Sequence, residues 1–230
     1  MKFIKSISIA VILQLVFLSL VLAKDSTPIA VALTVKGKVE YKQGDGDWKA
    51  MVFGSTLNNE DQVRTGDEGF AAIAFTDDKS QVKLRPNSFM TVLGERKEDY
   101  SISKRINLEI GELYASVKKQ KGSMKVATPT AVASVKGTEF WVILDENGDT
   151  QVLTLQGLVE FLNLMTGVAM DVLEGQIAEL GADGTFEIDN YSAAQIPTIA
   201  EGDEDVHSVE IIFTDEDGNR KTAIIELNVE

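Results

Sequence analysis

Residues 138–155 read TEFWVILDENGDTQVLTL, two apolar runs on either side of a short polar turn. The runs are rich in Val, Ile, Leu, Phe and Thr, side chains that suit the pleated surface of a strand. Between them, Asn147 and Gly148 form a pair that accepts the positive φ angles of a hairpin turn. This stretch therefore predicts a β-hairpin whose tip runs from Asp145 to Asp149.

Similar apolar runs follow one another from Ile29 onward, separated by Gly, Asn and Asp at steps of about eight to twelve residues. Two of them, at 105–110 and 112–117, flank Gly111 and predict two separate strands. A second hairpin is predicted at the C-terminus, from residues 208–214 and 221–228 around an Asp-Gly turn. No long stretch shows a helical period, so the sequence predicts an all-β protein.

Glycines recur at positions 94, 111, 137, 157 and 175, about twenty residues apart. One coil of a β-solenoid needs a step of about this length, and glycine suits a sharp corner because it has no Cβ. This spacing favours an elongated, solenoid-like or coiled sheet. A β-sandwich, in which the same glycines would be bulges and turn ends, is the alternative.

The composition excludes several classes of site. The 230 residues include no cysteine and one histidine, His207, so disulfides, thiolate nucleophiles and Ser-His catalysis are excluded. The formal charge of −14 opposes binding to nucleic acid or to an anionic lipid surface. Among the 36 acidic residues no local pattern isolates a catalytic pair. We therefore expect a protein without enzymatic activity and without a cofactor or metal.

The N-terminus has the pattern of a secretory signal peptide at residues 1–23. Two lysines precede an uncharged apolar run, and small or modest side chains follow at residues 21–23. Cleavage would remove two lysines and no acid, which leaves a net charge near −16 and no stable membrane span. A retained membrane anchor is the alternative, because the run is close to the roughly 17 residues that a spanning helix needs. The expected location is the periplasm or the outside of the cell.

A longer series of motifs is more specific. Residues 126–140 read VATPTAVASVKGTEF, followed by the hairpin tip, by LQGLV at 155–159 and by LEGQI at 173–177. Upstream lie VKGKV at 35–39, DQVRTG at 61–66 and VKLRP at 82–86. In order and spacing, these motifs resemble the FecR domain over about residues 30–180.

This resemblance implies an extracytoplasmic, all-β sensing or interaction domain. In well-known members, the domain follows a cytoplasmic anti-sigma segment and a membrane helix, and it relays a signal from an outer-membrane transporter to a sigma factor. Here only about six residues precede the apolar run. We therefore expect a stand-alone secreted member that lacks the anti-sigma segment.

The expected organisation is a FecR-like β domain at 30–184, a linker at 185–205 and a C-terminal β-hairpin at 206–230. The linker prediction depends on a weaker strand pattern after Gly184 and on the acidic run at 201–205.

One basic segment stands out in this acidic chain. Lys118, Lys119, Lys121 and Lys125 fall within eight residues. They are the candidate partner-binding residues, with an acidic protein or an anionic cell-wall polymer as partner. The alternative is a solvated turn whose lysines block pairing at a strand edge.

Other candidate sites have simpler structural explanations. Asp145, Asn147 and Asp149 copy the start of a calcium loop, but the glycine and the final acid of that loop are missing, so a hairpin tip is favoured. In the tip at 215–219 the final acid is present as Glu226, but Arg220 replaces the glycine and Glu226 lies in a predicted strand, so a hairpin tip is favoured there too. Trp141 lies among apolar neighbours and is expected to be buried, whereas Trp48 is ambiguous.

The function expected from the sequence is that of an interaction, sensing or scaffolding module at the cell envelope. Exposed strand edges would suit an envelope protein as partner. The alternative is a carbohydrate- or peptidoglycan-binding module.

Overall fold

The computed structural model describes residues 27–119, 123–198, 208–214 and 220–226. These residues are nearly all β, so the all-β prediction is confirmed. None of the helices formed by these residues is long and apolar enough to span a bilayer. The predicted signal peptide, Lys121 and His207 lie outside the described residues.

Short strands account for most of the chain. In chain order they are β1 (Ala30–Lys36), β2 (Val39–Lys42), β3 (Lys49–Ala50), β4 (Thr56–Leu57), β5 (Asp61–Thr65), β6 (Phe70–Phe75), β7 (Gln81–Leu84), β8 (Phe89–Arg96), β9 (Ile102–Ser116), β10 (Met124–Ala127), β11 (Ala131–Val135), β12 (Glu139–Leu144), β13 (Thr150–Gln156), β14 (Leu158–Asn163), β15 (Ala169–Leu173), β16 (Gln176–Leu180), β17 (Phe186–Asn190), β18 (Ser208–Thr214) and β19 (Arg220–Glu226).

The first seventeen strands form two facing layers joined through β9. Sheet A has the order β4-β1-β6-β7-β9-β12-β13-β16-β17. Sheet B has the order β3-β2-β5-β8-β9-β10-β11-β14-β15. The C-terminal half of β9 belongs to sheet A and its N-terminal half to sheet B, so β9 is the central strand of both. The chain thus coils from one layer to the other, and the resulting sheet is open.

A single apolar core fills the space between the layers. Ile73 and Phe75 of sheet A and Met90, Val92 and Ile106 of sheet B all belong to it and are fully buried. The residues between them point to the outer faces because side chains alternate along a strand. The two layers of the open sheet thus pack face to face, as in the β-sandwich alternative.

Glycines with positive φ lie at several of the crossings between layers. Gly37, Gly137, Gly157 and Gly175 lie at the corners β1–β2, β11–β12, β13–β14 and β15–β16. Gly111 has φ +99 and lies inside β9, where this strand passes from sheet B to sheet A. The sequence-based split into strands at 105–110 and 112–117 was therefore wrong, because Gly111 redirects the strand without interrupting it.

The C-terminal part of the domain differs from the expected linker. Phe186–Asn190 form β17, which pairs with β16 at the edge of sheet A. The sequence signal is weak there because Glu187, Asp189 and Asn190 are exposed on an edge strand. Further on, β18 and β19 pair in an antiparallel hairpin, as the sequence predicts.

A buried ion cluster ties the two layers together at one end of the core. The Lys104 ammonium group, on the inner face of β9, donates to Asp77 Oδ2 at 2.7 Å and to Asp78 Oδ2 at 2.8 Å. Both aspartates follow β6, in the turn that leads to β7. The Lys104 side chain is 1% exposed, and those of Asp77 and Asp78 are 4% and 7% exposed. Removing the lysine or the aspartates alone would leave a buried, unpaired charge, so these groups stabilise the fold only when all are present.

Gly111→Ala should destabilise the fold more than Gly175→Ala. Both glycines have positive φ, which costs another residue about 1–2 kcal/mol. A Cβ on Gly111 would also lie 2.6 Å from Ser88 Cα, whereas Gly175 has open space around it. Denaturant unfolding of the two variants measures the difference. Equal losses would show that the close approach to Ser88 does not constrain the crossing.

Lys104→Met should reduce the free energy of unfolding by about 3–5 kcal/mol, because it leaves two carboxylates buried without their cation. Lys97→Met, at an exposed lysine in the turn after β8, is the matched control and should change stability by less than about 0.5 kcal/mol. Denaturant titration monitored by circular dichroism gives both values. A loss at Lys104 no larger than at Lys97 would contradict the interpretation.

Candidate partner-binding site

Two of the predicted lysines, Lys119 and Lys125, line a groove of about 620 Å³ on the outer side of sheet B, whereas Lys118 is not among its lining residues. Lys118 and Lys119 follow β9, and Lys125 is exposed on β10. Lys136, which the sequence analysis did not single out, follows β11 and joins them. The lining residues are Lys119, Ser123, Lys125, Ser134, Val135, Lys136, Gly137, Thr138, Gly157, Leu158 and Glu160.

The position of β10 excludes an edge-blocking role for Lys125. Strand β10 pairs with β9 on one side and with β11 on the other, so it lies inside sheet B. A lysine that protects an edge would lie on a strand with an unpaired side. Lys125 therefore needs another explanation.

Arg105 adds a further cation beside Lys125. Strands β9 and β10 pair in parallel, and the register places Arg105 directly across from Lys125. Both residues are exposed on the outer face. Like charges directly opposite each other in a sheet are destabilising. The sequence analysis missed Arg105 because this pairing joins segments twenty residues apart that show no local pattern.

The same row of the sheet becomes acidic farther along. Lys125 lies across from Ser134, Ser134 across from Glu160, and Glu160 across from Asp171. Neighbouring strands are about 4.8 Å apart, so positive charge changes to negative charge within about 15 Å. The outer face of sheet B thus has a basic end over β9 and β10 and an acidic end over β14 and β15.

The motif residues that border the groove make structural contacts. The Thr138 hydroxyl donates to the Leu158 carbonyl at 2.9 Å, and Thr138 is 2% exposed. Gly137 lies beneath Lys119, whose Cα would be 3.1 Å from a Cβ there. At the β10–β11 turn, the Thr128 hydroxyl accepts from the amide of Ala131 at 3.1 Å. Gly137 and Thr138 therefore shape the corner and let the Lys119 side chain lie across it.

An apolar surface borders the groove on the side of β14. Leu158 and Leu173 lie opposite each other and are 41% and 50% exposed. Five of the eight exposed large hydrophobic residues in the described chain belong to the β14–β15 hairpin, namely Leu158, Leu164, Met165, Val168 and Leu173. Strand β15 is also the outermost strand of sheet B, so it combines exposed apolar side chains with an open edge.

The acid-rich cleft at the β12–β13 tip does not have the properties of a hydrolytic site. It measures about 320 Å³ and is lined by Asp145, Asp149, Glu179 and Glu187 among others. Desolvation acts to raise the pKa of Asp145, but hydrogen bonds from the amides of Asp149 and Asn147 outweigh it and lower the pKa. An acid catalyst needs the opposite shift. These contacts confirm the hairpin tip, and the described residues contain no cluster of acids or histidines suited to a metal.

The two tryptophans differ in environment. Trp141 is fully buried, as predicted, and packs against Tyr114 with ring centroids 5.4 Å apart. Trp48 lies beneath the Arg64 guanidinium, 4.0 Å from it, and edge-on to Phe89. Neither lines the groove.

These observations define a two-layer β domain with one charged outer face. Residues 61–160 match the family model described as FecR protein. This stretch is therefore similar to the FecR family, which is the resemblance that the motifs indicated.

Solved structures show the same fold. Two crystal structures, at 1.65 and 2.50 Å resolution, of a candidate anti-sigma factor from Parabacteroides distasonis ATCC 8503 are similar to this chain at 20% identity with a TM-score of 0.50. Each comparison covers 58% of this chain and 61% of the other, less than two thirds of that protein. A comparison with curated proteins gives no match.

Lys125→Gln should stabilise the protein by a few tenths of a kcal/mol at low salt, because it relieves repulsion from Arg105. The gain should shrink at 1 M salt, where the Debye length is about 3 Å. In an Arg105→Gln background the same substitution should increase the free energy of unfolding by a smaller amount. Thermal or denaturant unfolding of the single and double variants measures this difference as a double-mutant cycle. Lys49→Gln, on exposed strand β3, serves as the control. A destabilising effect of Lys125→Gln that is independent of salt would contradict this account.

Proposed function

We propose that this chain is an exported, non-enzymatic interaction and sensing module that binds an envelope protein through the outer face of sheet B. The carrying observation is the convergence of Lys119, Lys125, Lys136 and Arg105 from four separate segments onto one face of an acidic protein. Such a cluster opposes folding through repulsion, so we explain it by a ligand that neutralises it. The family match supports a role at the envelope.

The neighbouring surface favours a protein partner. An acidic segment of the partner would lie over the basic end of the groove, and its apolar side chains would cover Leu158 and Leu173. The open edge of β15 offers backbone groups to an extended partner strand. Charge complementarity would speed association and set the orientation of the partner.

A carbohydrate or peptidoglycan ligand fits this surface less well. Sugar rings are recognised largely by stacking on exposed aromatic side chains. Among the described residues, those that line the groove include no aromatic side chain. Polysaccharide binding is therefore the alternative outcome of the experiment below.

Lys119→Glu/Lys125→Glu should weaken binding to envelope proteins at least tenfold, and the loss should be larger at low salt. The matched control is Lys49→Glu/Lys97→Glu, which makes the same charge change at exposed lysines away from the groove. Pull-down from a solubilised envelope fraction, with parallel sedimentation on purified cell wall, measures both types of partner. Equal binding by the two variants would show that the groove is not the binding site. A loss seen only in sedimentation on cell wall would show that the ligand of the groove is a polysaccharide.

A further inference from the structure

Part of the outer face of sheet A, over β1 and β6, is buried. Ala30 and Ala32 belong to the central core, so Val31 between them points outward, and it lies opposite Ala74 of β6. Val31, Ala72 and Ala74 are 0% exposed. Strands of one layer do not bury each other's outer faces, so a further layer of chain must lie over this patch.

Two ionisable side chains on the same face report the same environment. Lys83, across from Ala72, has its pKa lowered mainly by burial. Burial also raises the pKa of Tyr114, and the nearby Glu139 carboxylate adds to that rise. Both shifts are those expected for groups withdrawn from water.

Part of the covering layer is a strap formed by residues 191–198. Tyr191 packs against Trp141, Leu153 and Ile177 on the outer face, and its hydroxyl donates to the Thr154 carbonyl at 3.3 Å. At the other end, the Arg85 guanidinium donates to the carbonyl of Thr198. The strap therefore crosses sheet A from β13 to the end of β7.

The end of the strap lies on the same face as the buried patch formed by Val31, Ala72 and Ala74, which the strap itself is not shown to cover. Strand β7 pairs with β6 and β6 with β1, and the register sets Leu84 in the row of Val35, so Val31 lies two strands across and four residues along, roughly 15–20 Å away. Residues 199–207 lead from Thr198 to the hairpin β18–β19. Nine residues reach about 30 Å when extended, which is ample for this distance.

The β18–β19 hairpin has the alternating sequence pattern of a two-stranded sheet with one apolar face. Apolar residues occupy alternate positions 209, 211 and 213 of β18, and the register sets Val209 and Ile211 across from Ile225 and Ala223. An isolated two-stranded hairpin is at best marginally stable. One face of β18–β19 is therefore suited to cover an apolar surface.

We infer that the C-terminal hairpin of this chain packs its apolar face over Val31, Ala72 and Ala74 as a third layer on sheet A. This interface is independent of the partner-binding groove. It closes one outer face of the domain with the chain's own C-terminus and leaves the charged face of sheet B for a partner.

The absence of natural cysteines allows a direct test by disulfide trapping in the full chain. Ala74→Cys is combined in turn with Val209→Cys, Ile211→Cys or Ile225→Cys, and in control variants with Glu210→Cys or Thr222→Cys on the other hairpin face. We expect an intrachain disulfide in monomer for at least one apolar-face pair and for neither control. Disulfides formed only between chains would assign the surface to a second copy and overturn the inference.

Amide hydrogen exchange of the unmodified protein is the second measurement, since a cysteine pair can fail through geometry alone. A docked hairpin should protect the amides of β18 and β19 at least a hundredfold over an unstructured peptide. Protected amides in β1 and β6 with unprotected amides in β18 and β19 would assign the cover to another segment and overturn the inference.

Discussion

The two-layer architecture depends on short crossings from one sheet to the other. At Gly111 and Gly137 the backbone has positive φ and leaves little room for a side chain, conditions that glycine meets. Because each crossing reverses which sheet receives the next hairpin, these corners determine the strand order of both layers. The shared core and the charged outer face of sheet B follow from that order.

Much of the fold could be predicted from local sequence, since period-two apolar runs and Asn-Gly or Asp-Gly turns identify hairpins without knowledge of distant contacts. The glycine corners were also visible. The parallel pairing of β9 with β10 was not, and it is this pairing that sets Arg105 beside Lys125. Trp141 illustrates a further limit: its burial was predicted, but not that it lies on an outer face beneath a strap formed by residues of the expected linker.

Two neighbouring cations on β9, Lys104 and Arg105, differ in whether the fold itself supplies a counter-charge. Lys104 is paired with two buried aspartates, so its charge is part of the interior. Arg105, the next residue, faces outward toward another cation. Adjacent positions on one strand thus have opposite roles, and only the second is left to be neutralised from outside. This contrast is the physical reason for proposing a binding surface on sheet B.

Strand β9 also has a consequence for how the molecule comes apart. The strands before it lie on one side in both sheets, and the strands after it lie on the other, so each half of the chain uses β9 as its inner boundary. Neither half can unfold together with β9 without removing a paired strand from the other half. The two halves should therefore unfold in one cooperative transition. A mechanical force applied at one end of the domain would be transmitted to the other end through β9.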